Sequence, residues 1–480
     1  MTPGHEPTAS AGIRQDAPAP THTPAHAKRL LRLLAAATFL IFFQAFMIAP
    51  ILPALGRALS SSTGTLALAV PAYLIPYGAA TLLWGPLSDR IGRTRVILGS
   101  MTAFVALTAA TALAGSAGWF ITARVVTALG ASGVVPIALA LLGDLFPYSR
   151  RGHALGWLFG AMAGGMAVGS TAGALLEPVV GWQGLFLAVA VAAVAVLALL
   201  WARREQLAVG HCGTARPWRA VAAGYLGLVR DGRAARTYTY VLINAVLHSG
   251  IYTWLGVYFH QRYGLDEIGI GLALLGYGIP GFVLGPLIGR LADRYGRARL
   301  IPTGLATAAV AALALAPHLP IAAPALALTV LSLGYDLTQP LLAGIATTLS
   351  ANRGQAMGLN VFTLFVGSGL GSLVFQAALN AGFPAALTGF ALAALIAAVA
   401  AVPAFATETA APDHPHPADQ RRGVPRYHRQ RLELLKAIRP VRSGTAPWAQ
   451  GPAGWQVPPE AARGPGPSRR SGGWCESRTG

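Results

Sequence analysis

The sequence predicts an all-α membrane protein whose twelve transmembrane helices form two pseudo-symmetric six-helix bundles. Three observations predict it: the composition, the number and length of the apolar runs, and a charged motif that occurs twice. Of the 480 residues, 54% are hydrophobic and 11% are charged, whereas a soluble globular chain carries about 25% charged residues. Crossing a hydrocarbon core of about 30 Å takes roughly 20 apolar residues of helix.

Runs of that length fall at 33–55, 65–88, 96–115, 118–142, 154–176, 182–202, 237–260, 268–289, 300–317, 320–346, 356–378 and 382–405. The stretches Val96–Ala123 and Gly354–Thr407 carry no charge, and Gly or Pro punctuation divides each into two crossings. Ahead of these runs, residues 1–29 read as a disordered tail of Pro, Ala, His and Thr with no cleavable signal. Residues 30–202 form the first six-helix bundle, 203–236 a polar central loop, and 237–407 the second bundle. Residues 408–480 are Pro-, Gly- and Arg-rich, too polar to offset chain entropy by burial, and read as a second disordered tail. Cys212 and Cys475 give no disulfide framework and no metal spacing.

Arginine placement orients the chain. Lys28, Arg29 and Arg32, then Arg90, Arg93 and Arg95, Arg150 and Arg151, the 203–236 connection, Arg290 to Arg299, and Arg353 all fall on one side, against Arg57 and Arg262 on the other. Both termini are therefore expected in the cytoplasm, with the protein in a bacterial cytoplasmic (inner) membrane.

The repeated motif is "GPLSDRIGRTR" at 85–95 and "GRLADRYGRAR" at 289–299, identical at seven of eleven positions. A second echo pairs "RRGHALG", 150–156, with "NRGQAMG", 352–358. Each motif follows the second helix of a six-helix half and each echo opens the fifth, the pattern of an internal duplication. The charged motif is a knot in which glycine lets a helix end pack closely. Its aspartate can meet arginines or the positive end of a helix.

The knot resembles the loop signature of the major facilitator superfamily, G-x-L-a-D-r-x-G-r, over about residues 30–405. The resemblance implies a cytoplasmic latch that favours one transport conformation, with Asp89, Arg90 and Arg93 as gating residues and Asp293, Arg294 and Arg297 as their counterparts. Further residues resemble the twelve-helix drug:proton antiporter branch. These are "PILP" at 50–53 with Gln44 where that pattern has glycine, Arg124 and Gly130 in "RVVTALGASG", and the glycines of "GAMAGGMAVGSTAGA". Gly160, Gly164, Gly169 and Gly173 of this last run read equally as close helix–helix packing. The run lacks the Gly-Pro of the antiporter signature and has Gly169-Ser170 instead.

Ionisable and polar side chains inside spans are candidate function because each is costly there. Asp336 shares an i, i+3, i+4 face with Gln339 and Pro340, and reads as a proton carrier, a substrate contact or a buried structural pair. Arg124 sits where an arginine can snorkel to the far interface. Asn244 and His248 are four residues apart on the seventh span with Tyr252 close by. His248 reads as a titrating group or a hydrogen-bonded helix contact. Asn360, Gln376 and Gln44 are cavity-lining candidates. In the resembling proteins the first, fourth, seventh and tenth helices line the central cavity, and Gln44, Arg124, Asn244, His248 and Asp336 fall on those four.

No Walker loop, metal cluster or catalytic set is present, so the chain reads as no enzyme and as needing no cofactor, with a proton gradient as its energy source. The expected function is secondary active transport of a small molecule by alternating access, as proton-coupled efflux. Metabolite uptake and a transporter-like sensor are the alternatives. Expected partners are a small-molecule substrate and the lipid bilayer, with no specific nucleic acid, and the expected state is a monomer.

Overall fold

The computed structural model describes residues 24–145, 148–207, 217–277, 294–350 and 353–408, with isolated positions between 278 and 293. Among these residues all regular structure is helical. Asp293, most of both tails and nearly half of the predicted eighth span lie outside them.

Helix α1, Pro24–Phe46, begins inside the segment read as the N-terminal tail. It breaks at a buried 3-10 turn, Ala49–Ile51, and resumes as α2, Leu52–Ala58. Pro50 and Pro53 stand at the second positions of the turn and of α2, within the first turn of each. There a missing N–H costs nothing, but the ring prevents an unbroken helix. The "PILP" pattern is thus a break within the first crossing. Ser62 caps α3, Thr63–Ala67, by accepting from Thr65 N at 3.1 Å.

Helix α4, Pro71–Ile91, ends in the first knot, and α5, Arg93–Thr111, starts within the same knot. Gly92 between them has φ +95°. Gly296 has φ +78° at the equivalent point of the second knot, so the duplication is visible in the backbone. A Cβ at Gly85 or Gly92 would meet nothing within 4 Å. At Gly92 the glycine is needed for a left-handed turn, and the close packing expected of the knot glycines is not its reason.

Next come α6, Ala117–Ala131, and α7, Val134–Leu145, which together cover the predicted fourth span. Helix α8, Tyr148–Ala202, contains two crossings separated only by Gly181 with φ +69°. The central connection contains α9, Arg204–Leu207, and α10, Trp218–Arg230. The polarity that suggested a loop there reflects a helix lying outside the spans. Helix α11, Gly232–Tyr263, is capped by Asp231, which accepts from Ala234 N at 2.8 Å, and stops at Gly264 in the left-handed region. It is followed by α12, Glu267–Ala273, capped by Asp266. The remaining helices are α13, Arg297–Ala314, α14, Ala322–Ala346, α15, Arg353–Ala378, and α16, Phe383–Ala404.

Among the described residues, nine helical stretches are long and apolar enough to cross a membrane. One of them, Gly156–Ala202, holds two crossings, and α13 and the segment opening at Glu267 complete the twelve-helix fold. Large apolar residues such as Leu113, Val191, Val310 and Ile396 stand 67–80% exposed, a surface suited to lipid rather than water.

Helix α8 lies along α1 through glycines. A Cβ at Gly169 would sit 2.5 Å from Phe43 O, and one at Gly173 2.9 Å from Met47 O. Gly165, absent from the sequence-based set, makes the same approach to Phe39 O. Gly164 has only ordinary contact with the Phe39 ring, and Gly160 faces open space. Gly160 instead lines a groove of about 700 Å³ with Arg32, Phe39 and Trp157. Gly169→Leu is expected to force α1 and α8 apart and cost at least about 2 kcal/mol. Thermal unfolding of the purified protein checks this, with Gly160→Ala expected to leave the midpoint unchanged.

Candidate functional site

The polar residues of the spans gather in two clusters, one on each bundle. In the first, Arg124 of α6 is fully buried among protein groups. Its guanidinium donates to Gln44 Oε1 at 2.9 Å, Gln44 O at 3.4 Å, Ala45 O at 3.2 Å and Ala69 O at 3.5 Å. It also lies 4.1 Å above the Tyr73 ring. Gln44 and Ala45 belong to the last turn of α1, whose carbonyls have lost their helical donors at the break. Arg124 therefore caps a broken helix from the side, and its charge faces the negative end of the α1 dipole.

In the second cluster Asn244 Nδ2 donates to Gln339 Oε1 at 3.2 Å, joining α11 to α14. His248 Nε2 and Tyr277 OH share a hydrogen bond of 3.2 Å, and the imidazole stacks on Tyr335 with centroids 4.1 Å apart. Tyr252 stacks on Tyr277 at 4.3 Å. Asp336, partly buried beside Tyr335 in the chain, accepts from Ser332 Oγ at 3.5 Å.

Aromatic rings join the clusters. Tyr73, Tyr77, Phe365, Phe42, Phe46, Tyr252 and Tyr277 follow one another with neighbouring centroids 4.3–6.3 Å apart. Tyr252 OH donates to Phe46 O, linking α11 to α1. Several buried polar atoms beside these rings have no hydrogen-bond partner: Gln44 Nε2, Tyr73 OH, Tyr77 OH, His248 Nδ1, Gln339 Nε2 and Asn360 Oδ1. Burying a polar group unpaired costs about 1–3 kcal/mol, and such groups mark where a ligand can supply the missing partners. Tyr73, Tyr77, Tyr277 and Tyr335 were missed in the sequence. The available signals were the i, i+4 spacing of Tyr73 and Tyr77 and the adjacency of Tyr335 to Asp336.

The knot residues stand apart from this site. Asp89 is exposed on the last turn of α4, and Arg90 lies 4.4 Å over the Trp218 ring of α10. Arg294 lies 5.3 Å over Tyr295, and Arg297 lies against α14 at Gly344. On the same face Glu408, read as the start of a disordered tail, is anchored to the bundle. It accepts from Arg233 Nε at 2.7 Å and Nη2 at 2.9 Å, and from Arg236 Nη2 at 3.1 Å. Its own carbonyl accepts from Ala298 N at 3.0 Å. The Arg233 hydrogen bonds hold its carboxyl below the usual carboxylate range. On the opposite face Arg57 of α2 pairs with Glu267 of α12, and Gln376 Nε2 donates to Gly64 O at 3.1 Å. Gln376 thus joins α15 to α3 at the far surface.

A family model described as Major Facilitator Superfamily matches residues 34–372 and 267–457. An uncharacterised MFS-type transporter, YwfA of Bacillus subtilis (strain 168), is 28% identical over 278 residues, 57% of this chain and 67% of that protein. A chloramphenicol resistance protein of Pseudomonas aeruginosa is 33% identical over 156 residues, 32% of this chain but only 37% of its own length. Among solved structures, that of a D-xylose-proton symporter superposes with a TM-score of 0.65 at 15% identity, covering 78% of this chain and 97% of that one; at that identity the likeness is one of fold. With that family model matching well over half of its length, and with the repeated knot and the all-helical fold beside it, this chain belongs to the major facilitator superfamily of membrane transporters.

Proposed function

We propose that the chain exports a small, partly apolar compound from the cytoplasm in exchange for protons. In this reading residues 30–202 and 237–407 rock as two halves around the site, with the knots on the cytoplasmic face. The observation that carries it is Asp336, an acid within a span, set against a wall of stacked rings and bordered by unpartnered polar atoms. A carboxylate in low-dielectric surroundings is a natural proton carrier. The rings offer apolar area and stacking to a substrate, and the unpaired amides and phenols offer it hydrogen bonds. The likeness of about a third of the chain to an efflux pump of Dothistroma septosporum supports export over uptake.

The test is proton movement in everted vesicles carrying this protein, challenged with a panel of drugs and metabolites. Proton release triggered by a compound supports antiport; no response to any compound, with the protein present, contradicts it. For the latch, Asp89→Asn is expected to slow turnover while leaving membrane insertion unchanged. Unchanged turnover would remove Asp89 from gating.

A further inference from the structure

The apolar residues of α10 span a continuous arc of about 160°, and only one side of it is docked. Val221 and Leu228 are buried, with Tyr225 half-buried beside them. This side docks on the bundles, where Tyr225 OH donates to Leu82 O of α4 at 3.3 Å and Val221 O accepts from Gln355 of α15 at 3.2 Å. The second side is Trp218, Ala222, Leu226 and Val229. At 100° per residue these four fall within an arc of about 80°. Trp218, Leu226 and Val229 are 42%, 48% and 54% exposed.

We propose that this second side seats α10 in the headgroup layer of the leaflet on the knot side, with anionic lipid as its partner. Charge favours that occupant. Arg219 and Arg230 stand exposed along one edge of the stripe, Arg90 lies over Trp218, and α10 contains no acidic residue. An apolar stripe with tryptophan, flanked by arginines, is the pattern of a helix lying in an interface. Juxtamembrane arginines gain from anionic headgroups. Position favours it too. The helix docks at the last turns of α4 and the first turns of α15, where those helices leave the hydrocarbon, and α4 exposes Leu83 and Ile91 at that level.

Tyr225 gives the seat a consequence, which rests on the rocking of the two halves. Its hydroxyl bonds α4 of one bundle and lies 3.3 Å from where a Cβ on Gly358 of α15, in the other, would sit. A helix held in the lipid surface holds that wedge in place, so anionic lipid biases the motion of α4 against α15.

The test places nitroxide labels at Leu226→Cys or Ala220→Cys in the full chain, with Cys212→Ser and Cys475→Ser. The protein is reconstituted in phosphatidylcholine vesicles with or without phosphatidylglycerol. The ratio of oxygen to aqueous nickel collision is expected to be several-fold higher at 226 than at 220, and to rise further with phosphatidylglycerol. Arg219→Gln with Arg230→Gln is expected to remove that rise. Equal nickel access at the two sites overturns the proposal, as does a label at 226 shielded from both reagents, which means a protein partner. Dipolar broadening between labels at 226 overturns it as well, because a second copy then covers the stripe. The label readout is independent of any transported compound, so it stands or falls separately from the efflux reading.

Discussion

Arg124→Met is expected to abolish transport and to lower the stability of the purified protein by at least about 1–3 kcal/mol, the cost of leaving a buried polar group unpaired. The guanidinium donates to three main-chain carbonyls and to Gln44 Oε1, all inside the bundle. Methionine fills much of the space but leaves those buried acceptors without their donor. Arg124→Lys keeps the charge but has one ammonium for acceptors on two segments, so an intermediate loss is expected. Thermal unfolding in detergent, run beside transport, reads both effects. Loss of transport in a Met variant as stable as wild type would make Arg124 a substrate or proton group rather than a cap. Normal transport and normal stability together would remove both roles.

Asp336→Asn is expected to uncouple the transporter. Asparagine keeps the shape of the side chain and an oxygen for Ser332, so folding and insertion should be retained, but it cannot exchange a proton. Compound-driven proton release should fall to background, while equilibration of the compound down its own gradient continues. If proton release persists in the variant, the carrier lies elsewhere, and His248, hydrogen-bonded to Tyr277 and stacked on Tyr335, is the next group to replace. Tyr335→Phe keeps the stack and is expected to preserve coupling.

Much of the architecture was legible because a bilayer demands long apolar runs and punishes charge inside them. The twelve runs, the duplicated knot and the isolation of Asp336 and Arg124 all follow from that constraint. Pairings between distant segments were not legible. Nothing local to Arg124 says that its acceptors are carbonyls of a helix broken eighty residues earlier, although "PILP" marks the break. Tyrosines carry no alarm in a membrane helix, so the ring chain from Tyr73 to Tyr277 emerged only when five segments were packed together. Glu408 was assigned to the tail because composition changes there, while its partners, Arg233 and Arg236, lie some 170 positions back in the chain. In α10, an average over the 203–236 connection concealed a helix whose apolar positions share one broad face.

The turn at Gly181 bears on how the orientation of this protein should be mapped. One residue with φ +69° reverses the chain between two crossings, and the next residue, Trp182, is buried edge-on against Phe120 and Phe186. A phosphatase fusion or epitope tag spliced between Val180 and Gln183 would pry that trio apart and report on a damaged fold. The stretches at Ser60–Ser62 and His318–Pro320, both outside the long helices, are better insertion sites for such reporters.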